Sequence, residues 1–423
     1  MIYHNHQNSH RPSQSSLTIV IKVGTTTICD EKTHYPMLSN LSSLVELVLK
    51  LKSQGHRVVL VSSAAVATGL RRLNINDRPT KVSTLQAISA VGQGRLIRLY
   101  DDLFGQFNQP IAQVLLTKND LSERAQYLNA VSCLEEILEL GVVPIVNEND
   151  TICPQEIRFG DNDTLSAITA GMLKADYLFL LTDVDCLYTD NPRTNPDAKN
   201  VSVCHDIQAL QEQVCVASRG SSLGTGGMST KLVAADLATA VGVRTVITHG
   251  AKPENLMKII EADDNGTLIT PHELPVVTGD DLLARGLPLH TLFTAKDNLL
   301  YDRKWWIKHG LHTAGRVYID EGAMKAILSK KQRSSLFAAG IVEVEKNFVA
   351  NQAVMIVYQR KDENGHVVEE IDVGKGIVNY SSVEIGRIRG CQSHDIFDIL
   401  GYMDAETVID RDNLVRILED SIV

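Results

Sequence analysis

A chain of 423 residues exceeds one ordinary hydrophobic core, and a composition 44% hydrophobic and 22% charged is that of a globular protein with room for two domains. The formal charge of -10, with an isoelectric point near 5.7, argues against sequence-independent binding to nucleic acid or an anionic membrane, which both need a concentrated cationic surface. No stretch has the roughly 18 uninterrupted apolar residues of a membrane span. The seven cysteines, odd in number and without a C-x-x-C, indicate reduced, mostly buried thiols rather than disulfides or a zinc knuckle.

Residues 1–16, MIYHNHQNSHRPSQSS, lack the apolar core of a signal peptide and carry a single Arg. They read as a disordered tail, with His4, His6 and His10 part of it rather than metal ligands, and the expected location is cytoplasmic. From Leu17 to about Ile269, β-branched runs alternate with amphipathic segments, which predicts an α/β domain (residues 17–270) with a mostly parallel sheet under helices. TIVIKV, RVVLVSS, IAQVLL, VVPIVN, YLFLLT and VRTVIT are its strands. Helical spacing runs over 39–54, 85–107, 121–140, 163–174 and 230–241. Prolines 271, 275 and 288 break the pattern, so 271–312 reads as an insertion or linker. Beyond it the short strands VYI, GIVEVE, AVMIVYQ and VVEEIDVGKGIVNY, with one helix near 321–328, predict a small β-rich domain over 313–423. Its 13 Lys and Arg against 18 Asp and Glu leave a charge of about -5, which weakens an RNA-binding role.

Two polar clusters stand out. VPIVNENDT delivers Asn147, Glu148, Asn149 and Asp150 at the carboxyl end of a buried strand, where open α/β sheets place ligands. FGDNDTLSA places Asp161, Asn162 and Asp163 at a helix start, where capping is the ordinary role of such residues. Together they predict a pocket for a small zwitterion or for cations around a phosphate. Lys22 lies inside the first apolar run, either snorkelling from an edge strand or reaching a phosphate at the strand's end. LGTGGMSTKL offers Gly224, Gly226 and Gly227 and then Thr230 and Lys231 at a helix start, a phosphate-friendly arrangement unless it is a plain glycine linker. It is not a P-loop, because Thr230 stands where that motif requires Gly. LLTDVDCLYT adds Thr182 and Asp183 at another strand end.

In this order, VIKVGT, VSSAAVATG, IVNENDT, FGDNDTLSA, LLTDVDCLYT and GTGGMSTK resemble the amino-acid kinase family, and the C-terminal part resembles the PUA domain that many members append. The resemblance implies a three-layer αβα sandwich plus a PUA-like domain, and ATP-dependent phosphorylation of the γ-carboxylate of L-glutamate, opening proline synthesis, with Mg²⁺ as cofactor. It implies that Lys22 and Lys231 neutralise the transferring phosphoryl group and that Asp163 holds them. Ser63, Asn147, Asp150, Asp161 and Asn162 match glutamate positions. Lys22, Thr182, Asp183, Thr225, Gly226, Gly227, Met228, Ser229, Thr230 and Lys231 match the ATP site. Asp120 and Glu156 match regions tied to feedback inhibition by proline. Metal ligands are not assigned. A homo-oligomer and coupling to the next enzyme of the pathway are further expectations, while membrane and RNA partners are not expected.

The alternatives are an acetylglutamate or aspartate kinase, or a catalytically weak amino-acid sensor. The sequence departs from the family's usual pattern at Ala64, where Gly is usual, and at Cys186 and Asn191, where bacterial members carry Gly and Asp. Ala64 matters most: at positive φ an alanine costs on the order of 1 kcal/mol.

Overall fold

The computed structural model describes residues 16–117, 124–152, 162–190, 195–207, 209–210, 227–264, 275–279, 282–296, 307–308, 311, 313–329, 334–350, 352–361 and 367–417. The chain divides into two compact units, Met1–Leu115 with Cys133–Ala295, and Leu116–Ser132 with Lys296–Val423.

The first unit begins with β1 (Thr18–Val23), the single turn α1 (Thr25–Ile28), α2 (Leu38–Ser53), β2 (Arg57–Ser62), α3 (Ala65–Arg72), α4 (Val82–Gly105) and β3 (Ile111–Leu116). Then come α5 (Arg124–Glu139), which straddles the division, β4 (Val143–Glu148), α6 (Asn162–Met172), β5 (Tyr177–Thr182), β6 (Leu187–Tyr188) and β7 (Asn200–Cys204). α7 (Met228–Thr239), β8 (Arg244–His249), α8 (Asn255–Asp264), β9 (Val276–Thr278) and β10 (Thr291–Phe293) complete it. Among the described residues the strands form one sheet in the order β3-β4-β2-β1-β5-β8-β10-β7-β6, with β9 on β7.

The centre of the sheet is parallel: β1 pairs with β2 and β5, β2 with β4, and β5 with β8. Every residue of β1, β4 and β5 is buried, as expected of parallel strands covered on both faces. Ile19, Ile21 and Val23 of β1 join one apolar cluster with Leu41, Leu44 and Val48 of α2. Side chains alternate along a strand, so Lys22 points to the opposite face. The chain builds β2 and β4 on one side of β1 and then returns to place β5 on the other. That reversal is the switch point at which open α/β sheets hold ligands.

One sequence expectation is corrected. The segment 271–312, read as an insertion or linker, carries β9 and β10, and both belong to the large sheet. β10 pairs antiparallel with β8 and parallel with β7, and β9 pairs antiparallel with β7. Pro275 and Pro288 lie outside these strands, and three residues suffice for each because the neighbouring strands supply the hydrogen-bond partners. β4 ends at Glu148, one residue beyond the predicted run VVPIVN, and Asn147 and Glu148 are both buried.

α3 and α4 cross closely because each offers a glycine. A Cβ on Gly69 would lie 2.0 Å from the Ile88 carbonyl oxygen, and one on Gly92 would lie 1.8 Å from that of Ala65. This contact draws α4 over the end of β2, where Tyr100 and Ser62 share a hydrogen bond of 3.0 Å.

The second unit has its own sheet, formed by β11 (Thr313–Ile319), β12 (Ile341–Glu345), β13 (Ala353–Lys361), β14 (Val367–Ile377) and β15 (Leu414–Arg416), ordered β12-β11-β13-β14-β15. Three helices, α9 (Glu321–Leu328), α10 (Ser382–Ile388) and α11 (Ile396–Leu400), accompany it. Asp320 caps α9, and Ser381 with Glu384 forms a capping box on α10. Val317, Ile356, Val373, Ile385 and Val408 are among its core residues, separate from the core of the first unit. No helix among the described residues is long and apolar enough to cross a membrane.

Candidate active site

Lys22 near the end of β1, Asp163 in the first turn of α6 and Lys231 in the first turn of α7 converge at the switch point. The Lys22 ammonium lies 2.6 Å from Asp163 Oδ1, and the Lys231 ammonium lies 3.3 Å from Oδ2. Thr230 donates to the same Oδ2 at 2.7 Å. Asp163 is 1% exposed. Burial alone would push its carboxyl up, but the two ammonium groups and the bonds from Lys22 and Thr230 outweigh that and hold it well below the usual carboxylate range. Two cations on one anion leave a net positive charge beside the strand ends. Helix starts add to it, since α1, α3 and α7 begin at Gly24, Ala64 and Gly227, none of which caps its helix with its own side chain. Such a site is matched to a polyanion.

A neutral amide cluster adjoins it. The Asn162 Nδ2 reaches the Ser62 carbonyl at 3.3 Å, Ser63 Oγ at 3.2 Å and Asn147 Oδ1 at 3.1 Å. The ends of β2, β4 and α6 are thereby tied together. Asp150 follows β4, and Ser89 of α4 donates to its carboxylate. The loop after β2 turns on Ala64, whose φ of 80° and ψ of 11° are left-handed, as a glycine position would be.

The structure therefore brings together Lys22, Asp163, Lys231 and Thr230, and beside them Ser63, Asn147 and Asn162. Thr182 is buried at the end of β5 and donates to Asp183 at 3.1 Å. Gly227, Met228 and Ser229 open α7. Asp161, Thr225, Gly226, Asp120, Glu156 and Asn191 lie outside the described residues. Cys186 is a packing residue, its thiol pushed up to about 12 by burial. Among the described cysteines, Cys29, Cys186 and Cys204 are buried and Cys133 is exposed.

Sequence reasoning missed a stripe on α4. Gln86 donates to the Thr151 carbonyl at 3.0 Å, Ser89 holds Asp150, and Gln93 donates to the Glu148 carbonyl at 3.2 Å. The spacing i, i+3, i+7 of polar residues on a helix face is the signal that could have found them. Arg78, before α4, is also close: burial lowers its guanidinium pKa and the Asp150 charge raises it.

Among the described residues no three His, Cys, Asp or Glu side chains converge as a metal site. Mg²⁺ commonly binds through substrate phosphates with few protein ligands, so this donor set is compatible with a metal carried by a nucleotide.

The amino acid kinase family pattern matches residues 17–249. The chain belongs to the amino acid kinase family. A PUA domain matches residues 315–400. The chain is 52% identical over 406 residues to a probable glutamate 5-kinase of Schizosaccharomyces pombe, covering 96% of this chain and 94% of that protein. It is 49% identical over 397 residues to a glutamate 5-kinase of Rippkaea orientalis, covering 94% and 98%, and 47% identical over 402 residues to one of Synechococcus elongatus, covering 95% and 99%.

Proposed function

We propose that this kinase transfers the γ-phosphoryl group of ATP to the γ-carboxylate of L-glutamate, giving L-glutamyl 5-phosphate, the step that opens proline synthesis. The observation that carries the reading is the buried Asp163 bridging Lys22 and Lys231 beside the amide cluster of Ser63, Asn147 and Asn162. The relatives, a probable glutamate 5-kinase and a glutamate 5-kinase, support the choice of glutamate.

The chemistry asks for little besides position and charge. A γ-carboxylate ordinarily titrates near about 4.3, so it is ionised at neutral pH and needs no general base. Its oxygen bonds to the γ-phosphorus as the bond to the bridging oxygen breaks, and ADP leaves with that electron pair. Two anions about 4 Å apart repel by roughly 4 kcal/mol at an effective dielectric of 20, so cations must sit between them. Lys22 and Lys231 serve there, and Asp163 keeps both ammonium groups fixed. When bound with the nucleotide, Mg²⁺ supplies further neutralisation of phosphate charge. Thr182, Asp183 and the start of α7 are assigned to the nucleotide, and Ser63, Asn147, Asp150 and Asn162 to glutamate. Feedback inhibition by proline, a cytoplasmic location and a homo-oligomer belong to the same proposal.

With ATP, Mg²⁺ and hydroxylamine, the purified protein is expected to form γ-glutamyl hydroxamate from glutamate, and far less product from aspartate or N-acetylglutamate. Preference for either analogue, or ligand binding without ADP release, would refute the reading.

A further inference from the structure

The polarity of the amide cluster is fixed by backbone groups that have no choice of role. The Glu148 N–H can only donate, and it meets Asn147 Oδ1 at 2.8 Å. The Glu148 carbonyl can only accept, and it meets Gln93 Nε2 at 3.2 Å. The Ser62 carbonyl likewise requires that Asn162 present its Nδ2. Side-chain amides are otherwise easily reversed, and here each is anchored. Gln93 Oε1 therefore faces Asn147 Nδ2 at 3.4 Å and also receives Gln113 Nε2 at 3.4 Å. Asn147 Oδ1 is left to receive Asn162 Nδ2. The amide donors of the Asn162 side chain are consumed, while its Oδ1 is buried and has no partner among the described residues.

We infer that Gln93 is a positioning residue for the acceptor amino acid: through Asn147 it holds Asn162 so that the carbonyl oxygen is left for a hydrogen-bond donor on the ligand. The inference rests on the glutamate-kinase reading. In a free amino acid that donor is the α-ammonium group, whose charge also suits the nearby Asp150. N-acylation removes that charge and leaves a single N–H, so an acylated analogue keeps only a weaker, uncharged bond to this acceptor. Gln93 is remote from Lys22, Asp163 and Lys231 in the hydrogen-bond chain, so it bears on the grip and not on phosphoryl transfer.

The test compares Gln93→Leu, which removes both polar groups at similar volume, with Gln93→Glu, which keeps the acceptor facing Asn147 but sets an oxygen against the Glu148 carbonyl. For Gln93→Leu, KM for glutamate is expected to rise about tenfold, the worth of a lost hydrogen bond in a buried network, with kcat within threefold and KM for ATP unchanged. For Gln93→Glu, KM relative to wild type is expected to be high at pH 8 and to recover toward pH 6, where a protonated carboxyl can again donate to the carbonyl. Purely structural packing would show no such pH-dependent recovery. Unchanged glutamate KM in both variants overturns the inference. So does equal damage to kcat and both KM values, or a collapse of Tm in both with no separable change in KM. A wild type that makes no glutamyl phosphate sinks the functional reading itself; a working wild type with unmoved variants sinks the inference alone.

Discussion

Lys22 and Lys231 in the kinase unit and Lys375 in the C-terminal unit are all 6% exposed, yet their surroundings differ in kind. The first two share the buried carboxylate of Asp163. Lys375, on β14, has no carboxylate within ion-pair reach among the described residues and donates to the backbone carbonyls of Lys308 and Leu311. Burial pushes the Lys375 ammonium down to about 8, whereas in the kinase unit it is the carboxyl that is held low. Carbonyl dipoles hold a lysine in place; a buried counter-anion keeps cations charged and aimed. The kinase unit uses the second arrangement where phosphoryl charge must be met, and the C-terminal unit uses the first to tie residues 308 and 311 to its sheet.

The largest test of this contrast is Asp163→Asn. It strands two buried ammonium groups, so stability is expected to fall by about 3–5 kcal/mol in urea titration, with kcat lower by at least about a hundredfold. A variant with full stability would mean that the carboxylate is not the counter-charge. Next comes a comparison of lysines. Lys22→Met and Lys231→Met are each expected to lower kcat by about 10²–10³, as for other electrostatic stabilisers of a transition state. Lys375→Met should leave kcat within twofold, and a loss equal to that of Lys231→Met would break the distinction.

The two environments also predict different pH windows. The Asp163 carboxyl titrates lower in the folded protein than its unfolded value of about 3.9, so the unfolded chain binds more protons. Its stabilisation is present above about pH 4 and is lost as the pH falls below that. Thermal melts should show an acid limb that Asp163→Asn flattens. For Lys375 the folded value of about 8 lies below an unfolded value of about 10.4. Stability from this group therefore rises between those values, by up to about 3 kcal/mol, and Lys375→Met should abolish the rise.

The smallest effect separates backbone strain from charge. Ala64→Gly is expected to stabilise the kinase unit by about 0.5–1 kcal/mol, because the left-handed φ of 80° no longer opposes a Cβ. Glutamate KM should stay within twofold, since the loop already has the required shape.

Much of this was legible from local pattern. The six strand runs predicted for the first unit and the helix at Glu321–Leu328 stand where alternation and capping put them. The resemblance named Lys22, Asp163 and Lys231, and the geometry brings them together across a separation that no periodicity reports; Asp163 and Lys231 alone are 68 residues apart. β9 and β10 escaped because strands of three residues leave too short a pattern beside prolines. The stripe of Gln86, Ser89 and Gln93 escaped because it sits within a long helix whose amphipathic spacing reads as packing, although those side chains face Glu148, Asp150 and Thr151.

The central claim is that a lysine pair on Asp163 carries phosphoryl transfer to the amino acid's side-chain carboxylate. It is tested most directly by single-turnover formation of γ-glutamyl hydroxamate at saturating ATP and glutamate, wild type against Lys231→Met, with glutamate affinity measured separately by calorimetry. The account predicts a rate at least about a hundredfold lower in the variant, with glutamate Kd within threefold. Undiminished turnover, or a loss explained entirely by weaker glutamate binding, would contradict it.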